Sequence, residues 1–130
     1  MAISRSAGYA MMAAGHVALY DKDGPVLASA ISKEYDIPLE YLLKILQQLV
    51  RANVMRSKRG PRGGFTLARR PEEITILEII EAVNGPLCGY IEVAAQANNA
   101  PYSVKMEQAC KTAGEKCVEV LGKAKLADML

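Results

Sequence analysis

Residues 38–64, PLEYLLKILQQLVRANVMRSKRGPRGG, decide how the rest of the chain is read. Their first half has a helical repeat. Leu39, Leu42, Ile45, Leu46, Leu49 and Val50 recur at the spacing that gathers apolar side chains on one face. Glu40, Lys44, Gln47, Gln48 and Arg51 fall on the opposite face, with Tyr41 at its edge. Pro38 suits the first helical position, because it has no N–H to leave unpaired. The second half changes period. Residues 54–58 alternate as a short strand, Gly60, Pro61, Gly63 and Gly64 make a turn, and residues 65–68 return as a second strand. A helix with an apolar back and a long polar front therefore runs into a hairpin with a basic, glycine-rich tip.

Upstream, Ser4 is placed to cap a first helix that reaches residue 20 and is ended by the DKDGP cluster at 21–25. A short second helix fits 28–35, followed by a turn at Asp36 and Ile37. Downstream, Thr75 and Glu78 form a capping box for a fourth helix marked by Ile76, Leu77, Ile79, Ile80 and Val83, which Gly85 and Pro86 stop. Residues 86–102 read as a loop. A last long helix is expected over 103–123, where Met106, Cys110, Ala113, Cys117, Val120 and Ala124 alternate steps of four and three. Gly114 weakens that helix by roughly 1 kcal/mol relative to Ala, so it is expected to pack on a partner. The expected fold is mainly α: a winged helix-turn-helix at 1–85, a linker at 86–102, and a dimerisation helix with a tail at 103–130.

A length of 130 residues holds one ordinary domain and an appendage. The 51% hydrophobic content argues against disorder, and the lack of Trp leaves an aliphatic core. No apolar run approaches the roughly 20 residues of a membrane span, and residues 1–12 lack the pattern of a signal peptide. A cytoplasmic protein with no membrane association is expected. One His, no nucleophile–base pairing, no P-loop and no dinucleotide fingerprint exclude the common enzyme classes. The net charge of +2 conceals an asymmetry. Residues 51–70 hold Arg51, Arg56, Lys58, Arg59, Arg62, Arg69 and Arg70 with no acid, a segment of +7 in a chain whose remainder sums to −5. A merely solvated loop would mix its signs; this one suggests a polyanion site.

Double-stranded DNA fits that site. A major groove admits one α-helix, which needs an apolar back and a front able to reach base edges. Gln47 and Gln48 can pair with adenine, Lys44 and Arg51 with guanine, and Glu40 can accept from a cytosine amine or orient Lys44. On the hairpin, Arg59 and Arg62 are attracted by the negative potential of a minor groove. Arg56, Ser57 and Lys58 are suited to phosphates. The alternative is an interaction module of the same fold that acts through a partner protein; the polar front and the basic hairpin weigh against it as the sole activity.

The segments ISRSAGYA, IPLEYLLKILQQLVRANVMRSKRGPRGGFTLAR, ITILEIIEAVNGP and LADML closely resemble the Rrf-two family of bacterial winged-helix transcription regulators. The resemblance spans nearly the whole chain except 87–102, and SKRGPRGG followed by an aromatic is its most specific stretch. It implies a homodimer with crossing C-terminal helices, whose recognition helices enter successive major grooves of an imperfect palindrome; the function expected of the chain is sequence-specific transcription regulation, as a repressor or, alternatively, an activator. It also implies that Glu40, Tyr41, Lys44 and Gln47 on the helix and Arg59, Gly60 and Pro61 on the wing read DNA. The implied signal is redox, iron or a small molecule. Family members that hold an iron–sulfur cluster carry three closely spaced cysteines between the fourth helix and the dimer helix. Here the spacing is C-x21-C-x6-C: Cys88 lies in the loop, and Cys110 and Cys117 fall within the expected last helix. Three readings stay open. Cys110 and Cys117 are small buried residues of a dimer seam, the three thiols hold a cluster, or Cys88 is the reactive thiol of a switch. His16, in register with Met12 and Tyr20, reads as a packed helix residue, with metal ligation as its alternative.

Overall fold

The computed structural model describes residues 2–87 and 91–130, and its core is centred on the apolar face of α3 (Leu39–Arg51). Leu42, Leu46 and Leu49 are fully buried there, with Ile45 nearly so. They share one cluster with Ala10, Ala13, Ala14 and Val17 of α1 (Arg5–Tyr20), Ile31 of α2 (Ala28–Tyr35) and Ile79 of α4 (Ile76–Asn84). The alanines let α1 lie close to its neighbours. Each Leu or Ile buried in this way contributes about 1.5–3 kcal/mol, so this helical cluster carries the stability. Two details differ from expectation. Pro38 caps α3 from outside rather than opening it. Leu39, in the first turn, is 42% exposed, because a helical side chain leans toward the N-terminus and here leans past the edge of the core.

After α3, Asn53 adopts φ +59° and the Val54 N–H returns to Leu49 O at 3.0 Å, which ends the helix and buries Val54. The hairpin follows, with β1 (Met55–Lys58) antiparallel to β2 (Gly64–Leu67), Met55 opposite Leu67 and Lys58 opposite Gly64. It is tied to the connection between α1 and α2. Val26 and Phe65 exchange backbone hydrogen bonds of 2.9 and 2.8 Å, and the Asp21 carboxylate accepts the Leu67 N–H at 3.0 Å. No local sequence pattern marks this third partner.

Thr75 and Glu78 make both halves of the capping box that starts α4. The expected last helix is α5 (Pro101–Lys123), which begins two residues early because Pro101 fits the first turn. Val118 and Leu121 of α5 pack beside Ile76, Leu77 and Ile80 of α4. The chain then folds back: Ala124 O accepts the Ile76 N–H at 2.9 Å, and the Leu126 N–H donates to Ile74 O at 2.8 Å. The tail thus anchors its buried Leu126 at the start of α4. In the loop expected over 86–102, the Leu87 N–H donates to the Glu81 carboxylate at 3.0 Å, and the Glu107 carboxylate of α5 accepts from the N–H groups of Val93 and Ala94. The seam along α5 is left open by its own subunit: Met106 and Val120 are 61% and 65% exposed, and Cys110 and Cys117, which border an open hollow with Asn84, Leu87 and Ile91, are exposed as well. Among the described residues no helix is long and apolar enough to cross a membrane.

Candidate nucleic-acid interface

Burying one face of α3 forces the other outward. Glu40, Tyr41, Lys44, Gln47 and Arg51 are exposed, and Gln48 is half-buried. Between this face and the N-terminus of α1 lies an open hollow of about 490 Å³, bordered by Ser6, Tyr41, Lys44, Gln47, Gln48 and Arg51. Tyr41 is the one aromatic on this front, and it is held from behind. Its hydroxyl is hydrogen-bonded to the Ser6 hydroxyl, and its ring meets the Tyr9 ring edge-on at 5.7 Å and 84°.

The hairpin that follows α3 presents a second polar surface. Arg56, Ser57, Lys58, Arg59, Gly60, Pro61 and Arg62 are all exposed. Its shape depends on two glycines. A Cβ on Gly63 would lie 2.3 Å from Lys58 O, and one on Gly64 would lie 2.6 Å from Val26 O, where the backbone also has φ +144°. Without side chains at these positions the turn closes tightly against β1 and seats β2 on Val26. The arginines on either side of Gly60 and Pro61 are then carried on a narrow tip. Among the described residues, Lys44, Arg51, Arg56, Lys58, Arg59 and Arg62 have no ion-pair partner. Cations left unpaired in this way create a positive field toward solvent.

Two of the seven cations counted in the sequence do different work. Arg69 donates from Nε to Asn53 O at 3.1 Å, from Nη1 to Glu73 O at 3.0 Å and from Nη2 to Glu78 Oε1 at 2.6 Å. It fastens the end of α3 and the foot of the hairpin to the cap of α4. Burial raises the pKa of the Glu78 carboxyl, but hydrogen bonds from the Thr75 N–H and Arg69, with the Arg69 charge, outweigh that and hold it below its ordinary value of 4.5. Arg70 lies 3.9 and 4.0 Å from Glu72 and Glu73. The field is therefore narrower than the composition implied, and it is centred on the hairpin tip and the end of α3.

The residues expected as candidate ligands or thiols divide. Cys88 lies outside the described residues. Cys110 and Cys117 share one face of α5, two turns and about 10 Å apart along the axis. Among the described residues no three His, Cys, Asp or Glu side chains converge as a metal site. Iron–sulfur clusters are held by sets of converging thiolates, up to four of them; the described thiols of one chain do not fit that geometry. His16 is a packed residue: its Nδ1 is hydrogen-bonded to the Tyr35 hydroxyl at 3.0 Å and its ring lies 4.6 Å from that of Tyr20. Burial, then the charge of Glu34, raises the pKa of the Tyr35 hydroxyl, which favours the protonated phenol in this pair.

Sequence reasoning did not find Ser6, Tyr9 or the role of Arg69. Ser6 reaches Tyr41 across 35 positions, and no local pattern announces such a contact. The Arg69–Glu78 pair could have been suspected, since an acid at the third position of a capping box attracts a nearby cation.

A family model described as "Iron-dependent Transcriptional regulator", Rrf2, matches residues 3–130. The chain is 44% identical over 85 residues to the HTH-type transcriptional regulator IscR of Cereibacter sphaeroides, an alignment covering 64% of this chain and 55% of that protein. It spans about half the length of the curated relatives it matches. Among solved structures, that of CymR, the global cysteine regulator of B. subtilis, superposes with a TM-score of 0.78 at 24% identity, covering 99% of this chain and 95% of that one. IscR of T. potens superposes with a TM-score of 0.70 at 28% identity, covering 99% and 85%. With a fold shared along its length and a family match over residues 3–130, the chain belongs to the Rrf2 family of helix-turn-helix transcriptional regulators, which are not enzymes.

Proposed function

We propose that this chain is a sequence-specific DNA-binding repressor that acts as a homodimer on an imperfect palindrome. In this reading residues 1–85 bind DNA, 86–102 form the sensor region, and 103–130 dimerise. Glu40, Tyr41, Lys44, Gln47 and Gln48 meet base edges in the major groove, with Arg51 at the border of the groove. Arg56, Ser57 and Lys58 hold phosphates, while Arg59, Gly60, Pro61 and Arg62 enter the adjacent minor groove. The observation that carries this is the exposure of both the polar front of α3 and the hairpin tip, where Lys44, Arg51, Arg56, Lys58, Arg59 and Arg62 have no acidic partner among the described residues. Dimerisation through α5 is supported by the uncovered seam of Met106, Cys110, Ala113, Cys117 and Val120. The signal is redox, iron or a small molecule, and no step is assigned to a cluster because the described thiols do not converge.

The test is an anisotropy titration of a duplex that the protein has itself selected from a random pool. Six unpaired cations per protomer, about half of them on phosphates, predict a log K against log salt slope near −5 for the dimer. A slope near zero would remove the basic surface from the mechanism.

A further inference from the structure

The N-terminus of α1 lies beside the hollow on α3, and it holds a residue of that surface in place. Tyr41 is 39% exposed, and a phenol so placed on a helix front would ordinarily sample several rotamers. Here it has two restraints from α1. The Ser6 hydroxyl is hydrogen-bonded to its hydroxyl, and the Tyr9 ring packs edge-on against its ring. Ser6 and Tyr9 are half-buried, three residues apart on one side of α1. That helix is itself secured: Ser4 accepts the Ala7 N–H at 3.2 Å and donates its own N–H to Asn84 of α4 at 3.1 Å. The restraint on Tyr41 thus comes from a helix end that is itself fixed to the end of α4.

We infer that Ser6, backed by Tyr9, is a positioning residue of the DNA-reading surface, holding the Tyr41 hydroxyl and ring in the conformation that meets the major-groove face of the target. This rests on the reading of α3 as the helix that enters the groove. A side chain already fixed loses little freedom on binding, so the restraint favours the one sequence that suits that conformation. Ser6 therefore contributes to selectivity and not to the sequence-independent attraction for phosphates.

The experiment measures affinity of the full chain for the duplex selected by the wild type and for a scrambled duplex of equal length. The variants are Ser6→Ala, Ser6→Thr, Tyr41→Phe and Ser6→Ala with Tyr41→Phe. Ser6→Ala should weaken binding to the selected duplex about fivefold, the scale of one lost hydrogen bond, with scrambled binding, salt slope and melting temperature unchanged. Ser6→Thr should restore selectivity. In the Tyr41→Phe background Ser6→Ala should add nothing, because the hydroxyl it orients is gone. Equal weakening on both duplexes with a shallower salt slope, or a full additional loss in the Tyr41→Phe background, would mean that Ser6 touches DNA itself and would overturn the inference. So would a Ser6→Ala protein as selective as the wild type. A wild type that selects no duplex would overturn the underlying reading, which is a separate outcome from a selective wild type indifferent to Ser6.

Discussion

At the scale of single residues, two kinds of substitution separate the shape of the wing from its chemistry. Arg59 stands at the tip with no acidic partner among the described residues. Arg59→Ala should lower affinity for a selected duplex about tenfold or more, at the scale of one lost arginine contact to DNA, and leave the melting temperature unchanged. Unaltered affinity at fixed salt would take the wing out of the interface. Gly64 is the opposite case. Its φ of +144° and the 2.6 Å approach of Val26 O leave no room for a methyl group. Gly64→Ala should cost about 2 kcal/mol of stability, read by denaturant unfolding; a neutral result would mean that β2 can slide away from Val26. The glycine cluster was legible in the sequence as a turn. Why Gly63 and Gly64 are both needed was not, because the atoms they avoid belong to Lys58 and to Val26.

At the scale of elements, local signals are legible in the sequence and contacts between distant segments are not. The span of α2, the capping box of α4 and the polar front of α3 follow from periodicity and from short-range side-chain chemistry. The third partner of the hairpin rests on Val26 and Asp21, which lie in a segment that reads only as a turn. The basic segment reads in the sequence as one field, whereas in the fold Arg69 serves structure, joining Asn53, Glu73 and Glu78. Its side chain and that of Glu78 are 26% and 36% exposed. With discount for that exposure, Arg69→Ala should cost about 1 kcal/mol. The pH dependence has a definite sign. Because the Glu78 pKa is lower in the folded state than its ordinary 4.5, its contribution is fully present above that value and is lost as pH falls through the depressed folded value. Glu78→Gln should therefore flatten part of the acid limb of the stability curve. An acid limb identical to that of the wild type would show that the pair does not contribute.

At the scale of the whole molecule, α5 and the surface of α3 belong to one design. The heptad-like spacing on α5 was legible in the sequence; that its own subunit leaves this face open was not, because it depends on which side of α5 meets α4. Met106→Lys with Val120→Lys should raise the dimer dissociation constant by at least about tenfold, since each apolar side chain removed from an interface forfeits about 1.5 kcal/mol or more. Both positions are exposed in the single subunit, so its fold should survive. Sedimentation as an unchanged dimer would place the interface elsewhere. A monomer should also bind DNA more weakly, because two half-sites are no longer engaged together. The central claim is that two copies of α3 and its wing read one palindrome. Its most direct test is selection of duplexes from a random pool by the purified full chain, followed by sequencing. The account predicts an enriched imperfect palindrome with half-site centres about one helical turn, or 10 base pairs, apart. Enrichment of a single unrepeated half-site, or of nothing at all, would contradict it.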